Sequence, residues 1–178
     1  DISPLLLTLL VEQIGGLAFP DFASKEIWQK IGADSDATLM CNGLGRSATP
    51  LGVSSTLRDL ARYGLSFISA GSESAYRVVS ETSIRQIQHE GRPKLLVGSN
   101  VPNLLADDSL SHNTRHWDHV TDDGDFYKCG AHGQGLYISP HSEVVVAFFG
   151  TGDREDGPFG NDMPRVARQL TKSGIFEK

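Results

Sequence analysis

Residues 126–150 read FYKCGAHGQGLYISPHSEVVVAFFG, and no other stretch limits the fold as much. Val144, Val145, Val146, Phe148 and Phe149 make a near-continuous apolar run. It follows Ser139-Pro140-His141-Ser142, a turn that sends one strand back along another. Such a run belongs to a strand covered on both faces. Strands are expected near 125–131, 134–139 and 143–149. The front of the stretch is different. It places Lys128, Cys129, His132 and glycines 130, 133 and 135 where a core strand favours Val or Ile. It is either a bulge or edge bend, or a place where a ligand approaches the main chain. Glycines leave N–H groups bare, and bare N–H groups hold oxyanions. On a strand, Lys128, Gly130 and His132 would point one way, and Cys129 and Ala131 the other.

The rest of the chain supplies helices. Residues 3–14 form one, with Ser3 as cap, Pro4 in the first turn and Gly15-Gly16 as the stop. A second covers "FPDFASKEIWQKIG", with Phe22, Ile27, Trp28 and Ile31 as its apolar stripe and Gly32 at its end. Residues 33–53 show no period and read as loop. The clearest helix follows Ser55 or Thr56, with Asp59 favouring its N-terminal end. Leu57, Leu60, Ala61, Gly64, Leu65 and Ile68 share one face, and Gly64 there implies close approach of another element. Residues 80–89 make a short helix capped by Ser80, with Ile84 and Ile87 inward. From 91 to 124 the chain is polar and irregular, which is long for a compact domain and points to function. After an acidic loop over 150–161, Asn161 caps a last helix over 162–172. Helices, then antiparallel strands, then a helix make an α+β pattern. The layout is a mainly helical part (1–90), a long pocket-side loop (91–124), and strands with a C-terminal helix (125–178), all in one domain.

A formal charge of −6 argues against a nucleic-acid or anionic-membrane surface. The longest apolar run, LLLTLLV at 5–11, is far below a membrane span. Cys41 and Cys129 are the only cysteines, so no disulfide framework is implied. No cleavable leader is visible. The chain opens at Asp1 without Met, as a piece of something longer would.

The common nucleophile signatures are absent. None of the six lysines has a Ser three residues before it, so there is no S-x-x-K, and there is no G-x-S-x-G elbow and no phosphate loop. His112, His116 and His119, with Asp118, Asp122 and Asp123 nearby, would share a helix face and could bind zinc. Against that, Asn113, Thr114, Asp118 and Thr121 are poor helix formers and favour a solvated loop. Asp122-Asp123-Gly124-Asp125 lacks the ligand spacing of a calcium loop and reads as a hairpin-type turn.

"GAHGQGLYISP", preceded by "RHWDHVTDDGDFYKC", resembles the third-motif strand of the serine beta-lactamase-like hydrolases. The likeness is nearest to the branch of nylon-oligomer (aminohexanoate-dimer) hydrolases and related esterases. "IWQKIGADSDATL" and "LGVSSTLRDLARYGLSFISAG" resemble that family's stretch between its second and third motifs. "RVVSETSI" resembles the helix start that follows, and "PLLLTLLVEQIGG" the helix after the family's tyrosine motif. The resemblance implies the C-terminal part of a beta-lactamase/transpeptidase-like fold, an antiparallel sheet flanked by helices. It also implies acyl transfer through serine, with no cofactor. Carried over by position, Lys128-Cys129-Gly130 falls on the family's K-T-G box, with Cys129 replacing the hydroxyl residue. Ala131 would then donate its backbone N–H to the oxyanion. Lys128 binds a substrate carboxylate or helps the proton relay, or is simply a strand-end Lys at the solvent edge. Trp117 is a pocket wall, or packing beneath the loop. His132 reads first as holding the loop or pocket rim, and second as a base.

The S-x-x-K of the family is missing, and its tyrosine motif would lie just before residue 1. The expectation is part of a serine hydrolase acting on a small-molecule amide or ester and inactive alone. Its incomplete sheet leaves an edge for the missing N-terminal part of the same protein or for a second copy. The alternatives are a non-catalytic beta-lactamase-like binding protein and a metal-binding domain built on the His cluster.

Overall fold

The computed structural model describes residues 2–68, 78–96, 105, 109–151 and 162–176. Helix α1 spans Ser3–Gly15 and stops at Gly16, whose left-handed φ of 65° lets its N–H reach the Glu12 carbonyl. Ser3 is not its cap, contrary to expectation. Ile2 already has helical dihedrals, so the helix begins one residue early and Ser3 lies inside it. Helix α2 (Phe19–Ala23) runs on into a single π turn over Ser24–Trp28. The expected loop over 33–53 closes on itself instead, because β1 (Thr38–Leu39) pairs antiparallel with β2 (Val53–Ser54). No single helix among the described residues is long and apolar enough to cross a membrane.

Helix α3 spans Leu57–Leu65, and Thr56 Oγ1 caps it by accepting from Asp59 N at 3.2 Å. Its apolar stripe runs on to Ile68, but the last turn tightens to i→i−3 bonds from Ser66, Phe67 and Ile68. Helix α4 spans Glu81–His89, capped by Ser80 as the sequence indicates, with Ile84 and Ile87 buried.

Five strands then form one antiparallel sheet in chain order. They are β3 (Leu110–Thr114), β4 (Trp117–Thr121), β5 (Phe126–Gly130), β6 (Gln134–Ser139) and β7 (Val144–Phe148). The last three lie where the sequence places them. The first two correct the reading of 91–124 as irregular. Residues 110–121 are a hairpin whose two-residue turn, Arg115-His116, has φ of 49° and 66°. Such a turn normally advertises itself with Asn or Gly, and this one does not. The hairpin buries His112 and His119 beside Trp117 and Val120, so its buried positions do not read as an apolar alternation. Helix α5 (Met163–Lys172) closes the described chain. Asn161 and the acidic loop at 152–161 lie outside the described residues.

The pleat sorts the sheet into two faces. Leu136 and Ile138 join Trp117, Val120 and Phe126 beneath Phe67 and Ile68, just beyond α3, and Ile84 and Ile87 of α4. Tyr137 and Tyr127 face the other way with Phe148, under Ala167 of α5. Gly64 is the contact point of α3. A Cβ there would lie 2.5 Å from Val145 Cγ1 and 3.1 Å from Leu136 Cδ1, so only glycine lets the helix rest this low on the sheet.

On the opposite face, the turn between β4 and β5 is tied to α5. Gly124 takes a left-handed φ of 87°, and Thr121 Oγ1 accepts from Asp125 N at 3.0 Å. This is the hairpin-type turn expected of Asp122–Asp125. Arg168 of α5 reaches Tyr137 Oη at 3.2 Å, Asp123 at 3.2 Å and Asp125 at 3.4 Å. Lys172 also pairs with Asp123. Burial pushes the Asp125 carboxyl above its ordinary range; Asp125 and Arg168 are buried here, while Asp123 and Lys172 stay at the surface.

Candidate active site

The strand alternation that leads along β5 stops at Gly130, which pairs with Gln134. Ala131, His132 and Gly133 are the turn. His132 is therefore not on the strand face it was expected to share with Lys128 and Gly130. It is exposed, at φ 62°, and Gly133 follows at φ 81°. A non-glycine residue held in that region costs about 1–2 kcal/mol. Ala131 is exposed, its carbonyl accepts from Gln134 Nε2 at 3.0 Å, and its N–H has no acceptor among the described residues.

The three glycines have separate reasons. A Cβ at Gly135 would fall 2.5 Å from Phe148 Cζ and 2.6 Å from Tyr127, whose stacked rings close over it. That glycine serves packing, so the reading that it bares the backbone for a ligand is corrected. Gly133 serves the turn. At Gly130 an added Cβ would meet Gln134 Cβ across the strands at 3.1 Å, closer than an ordinary contact, though the residue remains half-exposed. A Cβ at Gly150, just past β7, would come 2.8 Å from the Gly133 carbonyl oxygen, so the exit of β7 lies directly against the turn.

Asp118 on β4 organises the strand end. Its two oxygens accept from Lys128 Nζ at 2.9 and 3.0 Å, and Oδ2 also accepts from Cys129 N at 2.9 Å and Cys129 Sγ at 2.8 Å. The β4–β5 pairing gives its last registered partners at His119 and Tyr127, so the Asp118 carboxylate takes over for a ladder carbonyl where the strands part. Burial, and then the hydrogen bond to Asp118, push the Cys129 thiol up to about 12. At neutral pH it is a protonated donor and no nucleophile. Sequence reasoning missed Asp118 as a site residue. The signal was its position across a hairpin from Lys128, visible only once β4 is recognised as a strand.

Trp117 is buried at 8% exposure, its ring edge-on to Phe126 (4.5 Å) and Phe67 (5.3 Å). It packs the core under α3, the plainer of its two readings. The His residues are not on a helix. His112 and His119 are buried, His112 with Nε2 at 3.1 Å from the Gln88 carbonyl, while His116 is exposed in the turn. Among the described residues no group of His, Cys, Asp and Glu is arranged to hold a metal ion. A surface hollow of about 620 Å³ lies along α1, lined by Leu9, Leu17, Pro20 and Arg46 among others, and its lining includes none of Trp117 or Lys128–His132.

An α+β chain with this meander and a K-C-G strand end is similar to the serine beta-lactamase-like hydrolases. No family model matches the chain. Among curated proteins it is similar to the 6-aminohexanoate-dimer hydrolase of Paenarthrobacter ureafaciens, 28% identical over 141 residues, which are 79% of this chain and 36% of that protein. The chain thus spans about a third of the length of the curated relative it matches. The match agrees with the likeness read from the sequence.

Proposed function

We propose that this chain supplies the oxyanion strand of a serine hydrolase that cleaves an amide or ester through an acyl-enzyme. The observation that carries the reading is the Ala131 N–H, exposed at the end of β5 with no acceptor among the described residues. A preorganised main-chain donor that costs nothing to uncover is what a developing oxyanion needs. The nucleophile and its base come from sequence outside this chain, which has no S-x-x-K. The serine attacks the carbonyl, the Ala131 N–H holds the oxygen as it gains charge, the leaving group departs, and water releases the acyl group. Gly130 leaves room for the substrate to lie along the strand. Cys129 takes no part as a nucleophile.

Among the described residues β7 pairs with β6 alone, and this edge together with the apolar surface of α1 supports a second element of the proposal: the remainder of the same protein pairs along β7 and completes the sheet. The test uses the full-length protein. A fluorophosphonate should label it, and Ala131→Pro, which deletes one N–H, should lower kcat by about 10²–10³ with KM little changed. An S-x-x-K-bearing full-length protein that resists labelling would favour a non-catalytic binding protein. Unchanged kcat in the proline variant would remove Ala131 from the chemistry.

A further inference from the structure

A cation beside a reacting carbonyl attracts any anion that fits, and Lys128 stands two residues before Gly130 with its side chain 45% exposed. It is nevertheless not a bare charge. We propose that Asp118 sets the charge selectivity of this site: it masks Lys128, so that the site accepts acyl groups that are neutral where they face β5 and does not recruit carboxylates. The proposal rests on the reading of β5 as the oxyanion strand.

Four contacts converge on one carboxylate. Both oxygens face the Lys128 ammonium, and Oδ2 is fixed by the Cys129 N–H and thiol. An ordinary surface ion pair gives back most of its attraction as side-chain entropy. Here that entropy is already spent, because the backbone of β5 holds the acid whether or not Lys128 is present. The acid is 25% exposed against 45% for the lysine, so the anion is the fixed partner and the cation comes to it. Among the described residues no second carboxylate engages Lys128. Charge at this point of the site is therefore balanced in place.

The test needs no turnover. Acetate is titrated at low ionic strength into the 15N-labelled chain, and the amides of residues 128–133 are followed. Asp118→Asn keeps an oxygen for the Cys129 N–H and removes the charge. It should bind acetate about fivefold or more tightly than the native chain, about 1 kcal/mol. Adding Lys128→Gln to that variant should restore native affinity. Equal affinity of D118N and the native chain overturns the proposal, as does equal tightness of D118N and the double variant. Should D118N fail to fold, Lys128→Gln alone decides, since a masked lysine can be removed without weakening acetate binding and an unmasked one cannot. An Ala131 amide that stays still while Lys128 and Cys129 respond as expected leaves the mask standing and removes the oxyanion reading.

Discussion

At Asp59 a residue that the sequence presents as a favourable charge at a helix start is a buried hub. It accepts from Asp34 N at 2.9 Å, Ser35 N at 3.2 Å, Thr56 Oγ1 at 2.7 Å and Arg62 at 2.6 Å, and is fully shielded from solvent. The Asp34 N–H, then the Thr56 hydroxyl and Arg62, hold its carboxyl down from the ordinary 3.8 to about 2. Because the folded value is the lower one, the carboxylate adds stability above the unfolded pKa, and that stability is lost as pH falls through the folded one. Urea midpoints should therefore drop between about pH 4 and pH 2 for the native chain, while Asp59→Asn, already destabilised at pH 7, shows little further loss there. Parallel curves for the two would refute it. A sequence pattern shows that an acid follows a cap. It cannot show that two amides from residue 34–35, some 25 positions earlier, converge on it.

Elements were legible where one force dominated. Helix α3 follows its apolar stripe, its cap and its glycine, and each signal agrees with the packing. Gly64→Ala should test the tightest of these contacts. The methyl would gain about 1 kcal/mol of helix propensity and lose about 1–3 kcal/mol to overpacking against Val145. A net loss of up to about 2 kcal/mol in denaturant unfolding is expected, recovered in part by Val145→Ala. Strands β3 and β4 were illegible for the opposite reason. Their turn uses Arg115-His116 in a conformation that glycine and asparagine usually fill, and Arg115 is placed by Glu90 at 3.1 Å rather than by its own preference. Their buried positions include His112, whose Nε2 lies 3.1 Å from the Gln88 carbonyl of α4, and His119, whose ring lies against Tyr127 of β5. The candidate site inherited that gap: the family likeness of the β5 stretch singles out Lys128 and Ala131, but Asp118 is invisible without β4.

At the scale of the molecule, burial is uneven. The sheet and α3, α4 and α5 share well-covered faces, whereas α1 buries only Thr8 and leaves Leu6 and Leu10 more than half exposed, one turn apart. Apolar side chains in that number rarely face water in a lone chain. The isolated chain should show a mass by light scattering that rises with concentration, and Leu6→Lys with Leu10→Lys should hold it monomeric without lowering its unfolding midpoint. A monomer at all concentrations would refute it. One close approach gives the exit of β7 a further meaning. A Cβ at Gly150 would come 2.8 Å from the Gly133 carbonyl oxygen, so any side chain placed there would push on the turn that carries Ala131. Residue 150 is thus confined to glycine by a turn some seventeen positions earlier, and bulk added at the exit of β7 would be felt at the far end of β5.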